Sequence, residues 1–167
     1  MKVSMHGMAV ETFVPMLESL DEWLGKDAGG DLSQAKLAPD MYSLAQQVQL
    51  ACQHARDGVA RLTGKPPGPA EEAEATVAAM KAQIARTLED LRGVAPAAFS
   101  GAEERDCSIP LSNGLVIRMD GLRFLRAWAL PHFYFHVVTA YGILRHHGVP
   151  LGKQDYLSQV SAFIMRG

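Results

Sequence analysis

Apolar positions recur every three to four residues over four long stretches of the chain, the spacing of one buried helical face. In the first stretch His6, Val10, Phe13, Leu17, Leu20 and Leu24 share a face, which predicts a helix over 3–24. Pro15 lies inside it and should kink it, because a mid-helix proline removes a hydrogen bond. The breaker GKDAGGD at 25–31 ends it. A second helix is predicted over 41–62, with Asp40 as N-cap and Gly64 as stop. Its stripe of Met41, Leu44, Val48, Ala51, Cys52, Ala55, Val59 and Leu62 is rich in small residues, which lets a neighbouring helix come close. After the stiff KPPGPA linker at 65–70, Val77, Met80, Ile84, Leu88 and Leu91 mark a third helix over 71–91. Its acids crowd the first turn, where the macrodipole favours them, and its narrow stripe suits an outer helix with one wet face.

Residues 93–105 read as loop, and the period then changes. Short β-prone runs flank Asn113-Gly114, a strong hairpin signal, and Pro110 assigns its strand to an edge. A fourth helix is predicted from Gly121 to Gly148, bent at Pro131. Phe133, Tyr134, Phe135 and Tyr141 leave it apolar on nearly every side. Two readings of that perimeter stay open: a central helix of the bundle, or one that also covers a partner subunit. In the tail, Leu157, Val160 and Ile164 have the spacing of a short further helix over 153–164. Four long helices with one β-hairpin inserted before the last predict an all-α four-helix bundle, a single domain over 1–167.

Composition narrows the class. The 167 residues are 48% hydrophobic, enough for a sizeable core, yet no apolar run is long enough to span a membrane. A net charge of −2 supplies no basic field for nucleic acid. The N-terminus lacks the apolar segment of a secretory signal, and Cys52 and Cys107 are isolated thiols, so the expected compartment is the cytoplasm. Cys52 falls on the buried stripe and reads as a small hydrophobe, while Glu103, Glu104 and Asp106 read as a solvated cluster.

Four of the six histidines lie in the fourth helix or its last turn. His132 and His136, four residues apart, share an apolar face with Leu125, Trp128, Thr139, Ala140 and Ile143. Imidazoles inside such a stripe need partners: a divalent metal bound by both, or hydrogen bonds within the core. A metal would need a further ligand. Gln49 lies near the edge of the second helix's stripe and offers a carbonyl oxygen, a poor donor for zinc. His54 lies about a third of a turn from the stripe's centre and reads as a flank or surface residue; His6 reads as a rim residue. Arg145, His146 and His147 read as a C-terminal cap. No nucleophile elbow, phosphate-binding glycine loop or HExxH motif is present.

The segments LAPDMYSLAQQVQLACQHARDGVARLTG, FSGAEERDCSIPL and ALPHFYFHVVTAYGILRHHGVPLGKQDYL resemble a bacterial domain-of-unknown-function family among the DinB/YfiT-like four-helix bundles. The resemblance covers nearly the whole chain and implies a DinB-like bundle, commonly dimeric. The wider superfamily carries three metal-binding histidines, one on the second helix and an HxxxH on the last long helix, with a Leu-Arg pair and a glycine after it. His132 and His136 match the HxxxH, Leu144 and Arg145 match the pair, and Gly148 matches the glycine. Counted from Met41, the second-helix position falls on Gln49. The resemblance therefore implies a site of His132, His136 and Gln49 for zinc, nickel or manganese, or no metal site at all. Metal-bearing relatives include thiol-dependent S-transferases and hydrolases, an activity that the changed ligand does not carry over. Two functions are expected: a degenerate metal or small-ligand site between the second and fourth helices, or a non-catalytic homodimeric interaction protein without metal.

Overall fold

Each long helix begins at a side-chain cap, and the caps decide where the elements start. In the computed structural model, which describes residues 4–26, 29–74 and 76–165, α1 spans Met5–Leu24. The Ser4 hydroxyl accepts from the Gly7 N–H at 3.0 Å. The start expected at Val3 lies outside the described residues. Pro15 is carried inside α1.

Helix α2 spans Leu44–Leu62, starting later than the pattern predicted. Ser43, not Asp40, caps it: Ser43 and Gln46 form a reciprocal capping box that satisfies two backbone N–H groups, whereas a single Asp cap satisfies one. Met41 is left in the preceding turn, its N–H donating to the Ala38 carbonyl. Gly64 stops the helix as expected, at φ 76°, where a side chain would be strained. Helix α3 spans Val77–Arg92 with Thr76 as cap, so the acids at 71–74 lie before it rather than in its first turn. Glu71 is engaged elsewhere, paired with Arg56 at 2.8 Å and accepting from the Gln83 amide at 2.7 Å. Those two contacts outweigh a macrodipole gain of roughly 0.3–1 kcal/mol.

The loop expected at 93–105 contains one 3₁₀ turn, Pro96–Phe99. Strands β1 (Asp106–Pro110) and β2 (Val116–Asp120) then pair antiparallel, Cys107 opposite Met119 and Ile109 opposite Ile117, with Gly114 in the turn at φ 81°. Cys107 and Ile109 point into the core, so the hairpin is one-sided. Asp120 caps the last long helix, α4, made of an α-turn Gly121–Phe124, a π-helical segment Leu125–Ala129 and an α-helix Leu130–His146. Where a bend at Pro131 was expected, the structure has a π-helical segment before it, a register that accommodates the proline's missing N–H. Gly121 is required at the junction, since a Cβ there would overlap the Ala102 carbonyl oxygen. The tail forms a short helix, Lys153–Tyr156, and a 3₁₀ turn, Ser158–Phe163.

Side-chain pairs fix the directions of the bundle. Phe13 meets Phe133 and Trp23 meets Tyr141, so α1 and α4 run parallel. Asp21 pairs with Lys81 and Glu18 with Arg92, so α1 and α3 run antiparallel. Gln47 bonds to His136, while a Cβ on Gly58 would touch that of Ala129, so α2 and α4 run antiparallel. The bundle is therefore up-down-down-up, and residues 63–76 form the crossover between the parallel α2 and α3. Each of α1 and α2 packs on both α3 and α4. Phe13, Leu17, Trp23, Leu62, Ile84, Phe124 and Phe133 are almost wholly buried at the centre. Among the described residues no helix is long and apolar enough to cross a membrane.

Candidate functional site

The seam between α2 and α4 is the most extensive helix contact in the bundle, and the histidines meet there. On α2 the seam is Gln47, Ala51, His54 and Gly58, alternating four and three residues apart on one face. The small residues bring the helices close, and Gln47 and His54 fill the space between. On α4 it is Ala129, His132 and His136. His54 stacks on His136, with ring centroids 5.2 Å apart and planes within 8°, and lies 4.9 Å from the tilted ring of His132. Trp128 backs His132 at 4.3 Å, and Phe135 sets its edge against His136.

The hydrogen bonds fix which nitrogens remain free. The Trp128 carbonyl can only accept, so His132 Nδ1–H donates to it at 2.9 Å. Gln47 Nε2 donates to the Tyr42 carbonyl at 3.3 Å, which turns Gln47 Oε1 toward His136. His136 Nδ1–H therefore donates to that oxygen at 2.8 Å. In the neutral form of either ring Nε2 is then the unprotonated nitrogen, the one with which imidazole ligates a metal, with Nδ1–H held by an oxygen as metal-bound histidines require. Burial, together with the neighbouring imidazoles, pulls His54 from its ordinary 6.5 to about 4. His136 falls to about 4 for the same two reasons, burial first and His132 second. Both are neutral at pH 7, and no carboxylate contacts the three rings among the described residues.

Beside the stack a cavity of about 440 Å³, lined by Pro131, His132, Phe135 and His136, opens to the surface. Phe135 is 58% exposed at its rim. The walls are apolar apart from the imidazoles. Among the described residues no group of three or more His, Cys, Asp or Glu side chains converges as a preformed metal cage. By chemistry alone the donors are of the type a divalent ion takes: three imidazoles, two of them neutral at pH 7 by their lowered basicity. The rings lie face to face, so binding requires them to turn until their nitrogens converge.

Of the residues singled out from the sequence, His132 and His136 come together and Gln49 does not join them. Gln49 is buried, and its amide donates to Gln53 at 2.7 Å. His54, expected on a flank or the surface, is half-buried and touches both histidines. The apolar stripe read on α2 ran two buried sides together: Cys52, beside Arg56, faces Thr87 on α3, while Ala51 belongs to the seam with α4 at the stripe's edge. Gln47 was missed altogether. The signal for it was the 47, 51, 54, 58 spacing, in which Ala51 and Gly58 are the small residues of a second seam.

The remaining candidates sit away from the seam. His6 is at the rim, edge-on to Phe99 and 3.8 Å from Glu11. His147 bonds the Ile143 carbonyl at the C-terminus of α4, as a cap should. Cys52 is buried with its thiol pushed up to about 11 by that burial, which leaves it inert as a nucleophile. Glu103 and Glu104 are exposed.

Residues 5–157 match the family described as "Domain of unknown function (DUF1993)". A crystal structure of a DinB family member protein from Shewanella denitrificans is similar to this chain at 36% identity, covering 91% of this chain and 90% of that one, with a TM-score of 0.81. No curated protein matches the chain.

Proposed function

This chain belongs to the DUF1993 family, within the DinB-like bundles, and from that premise we propose that it holds a divalent metal at the α2–α4 seam through His54, His132 and His136. The observation that carries this reading is the meeting of three imidazoles from two helices at the mouth of an apolar cavity. Gln49, the ligand expected from spacing, is replaced in this reading by His54. A bound zinc, nickel or manganese would supply a Lewis acid able to lower the pKa of a water or thiol bound to it. The chain's own residues do the rest. His54, His132 and His136 would hold the ion, Gln47 and the Trp128 carbonyl orient two of the rings, and Pro131 and Phe135 shape an apolar wall for a small ligand. No reaction is assigned to it.

Calorimetric titration of tag-free, chelator-treated protein with zinc, nickel and manganese tests the site, with elemental analysis of the product. One equivalent of at least one metal should bind. His54→Ala and His136→Ala should each weaken binding on the order of 100-fold, and Gln49→Ala should leave it unchanged. Equal binding by wild type and His54→Ala, or no binding by wild type, would sink the proposal.

A second reading has its own support. Pro131, Phe135 and Val138 form an outward apolar stripe on α4, with Phe135 and Val138 about half exposed. A non-catalytic homodimer closed over this stripe, with the histidines as packed core groups, accounts for it without a metal. We place either form in a bacterial cytoplasm, where two buried free thiols are at home.

A further inference from the structure

Gln47 lies on α2 two turns before His54, and it is 1% exposed. A buried glutamine amide must satisfy both ends, and this one does so with partners that leave it one orientation. Its Nε2 faces the Tyr42 carbonyl, at the turn preceding α2, and a carbonyl can only accept. Its Oε1 therefore faces His136, at 2.8 Å from Nδ1. An amide oxygen only accepts, so the proton on the neutral His136 ring belongs on Nδ1. A half-turn of the ring would put Cδ2 where Nδ1 sits and lose this bond, so the hydrogen bond itself selects the observed ring orientation.

From this geometry we infer that Gln47 is a positioning residue: the chain Tyr42 carbonyl–Gln47–His136 fixes the His136 tautomer and leaves its Nε2 as a lone-pair donor at the cavity. The His132–Trp128 bond sets the same tautomer on the other α4 histidine by an independent acceptor. The two rings are thus pre-set alike before anything binds. The tautomer is fixed by the hydrogen bonds alone; only its consequence for metal affinity rests on the proposed site.

The test needs no metal. In ¹⁵N-labelled, metal-free wild type at neutral pH, long-range ¹H–¹⁵N correlation spectra should show His136 protonated on Nδ1 with a pyridine-like Nε2. Gln47→Leu removes the acceptor and should give a tautomer mixture, or exchange-broadened ring signals, at this residue while His132 keeps its pattern. Gln47→Glu, which retains an acceptor oxygen, should restore the Nδ1–H form. In titrations, Gln47→Leu should weaken metal binding about 10- to 100-fold and Gln47→Glu should recover most of it. Wild-type His136 protonated on Nε2 would overturn the inference even if no variant folds. So would an unchanged tautomer in folded Gln47→Leu. Should wild type show the Nδ1–H form and yet bind no metal, the metal site falls and the positioning role stands.

Discussion

His54 and His136 are kept neutral by burial first and by neighbouring imidazoles second, and that makes the fold sensitive to acid. In the folded chain both protonate only near pH 4, whereas in the unfolded chain each does so near the ordinary 6.5. Between those values the unfolded state binds more protons, so stability is intact above about pH 6.5 and is lost as pH falls toward 4. Thermal melts of metal-free protein should show Tm falling between about pH 6.5 and 5, before most carboxylates titrate. His54→Phe, which keeps an aromatic ring in the stack, should flatten that slope. A wild-type Tm unchanged across the window would mean the rings are protonated as easily folded as unfolded.

At the scale of the element, the start of α2 depends on two side chains. Ser43 and Gln46 satisfy each other's backbone N–H groups, and Ser43 is itself buried. Ser43→Ala should destabilise the protein by about 1 kcal/mol, read from chemical denaturation, while Asp40→Ala should have little effect. An equal cost for the two substitutions would restore Asp40 as the cap. The helical pattern located this helix correctly and missed its first turn because Met41 fits the apolar period as well as Leu44 does. Periodicity records which side is buried, and a reciprocal pair of polar groups decides where hydrogen bonding begins. Glu71 teaches the same lesson at α3. Its acidic run looked like a first turn, but Arg56 of α2 and Gln83 in the middle of α3 hold the carboxylate between the two helices.

At the scale of the molecule, the up-down-down-up order gives α2 two neighbours, α3 on one side and α4 on the other. It also leaves the stripe of Pro131, Phe135 and Val138 facing outward beside the histidine cavity. If that stripe is covered by a second copy, light scattering should report a dimer at low micromolar concentration. Replacing both Phe135 and Val138 with Ser should then yield a folded monomer. A wild-type monomer would count against the homodimer reading without touching the metal site, because His54, His132 and His136 come from one chain.

Local features were legible from the chain alone: four long helices, a hairpin about Asn113-Gly114 before the last of them, and His132 and His136 on one face. Periods of two and 3.6 and an i, i+4 spacing act within a few residues, so they can be read without knowing the fold. Which side of α2 meets α4 is a matter of bundle order, set by contacts such as Phe13 with Phe133 and Gly58 with Ala129, far apart in the chain. Only that tertiary choice brought His54 rather than Gln49 to the histidine pair and set Gln47 behind His136. A single helical wheel shows a helix buried on two sides as one broad stripe, and it cannot say which neighbour lies against each edge.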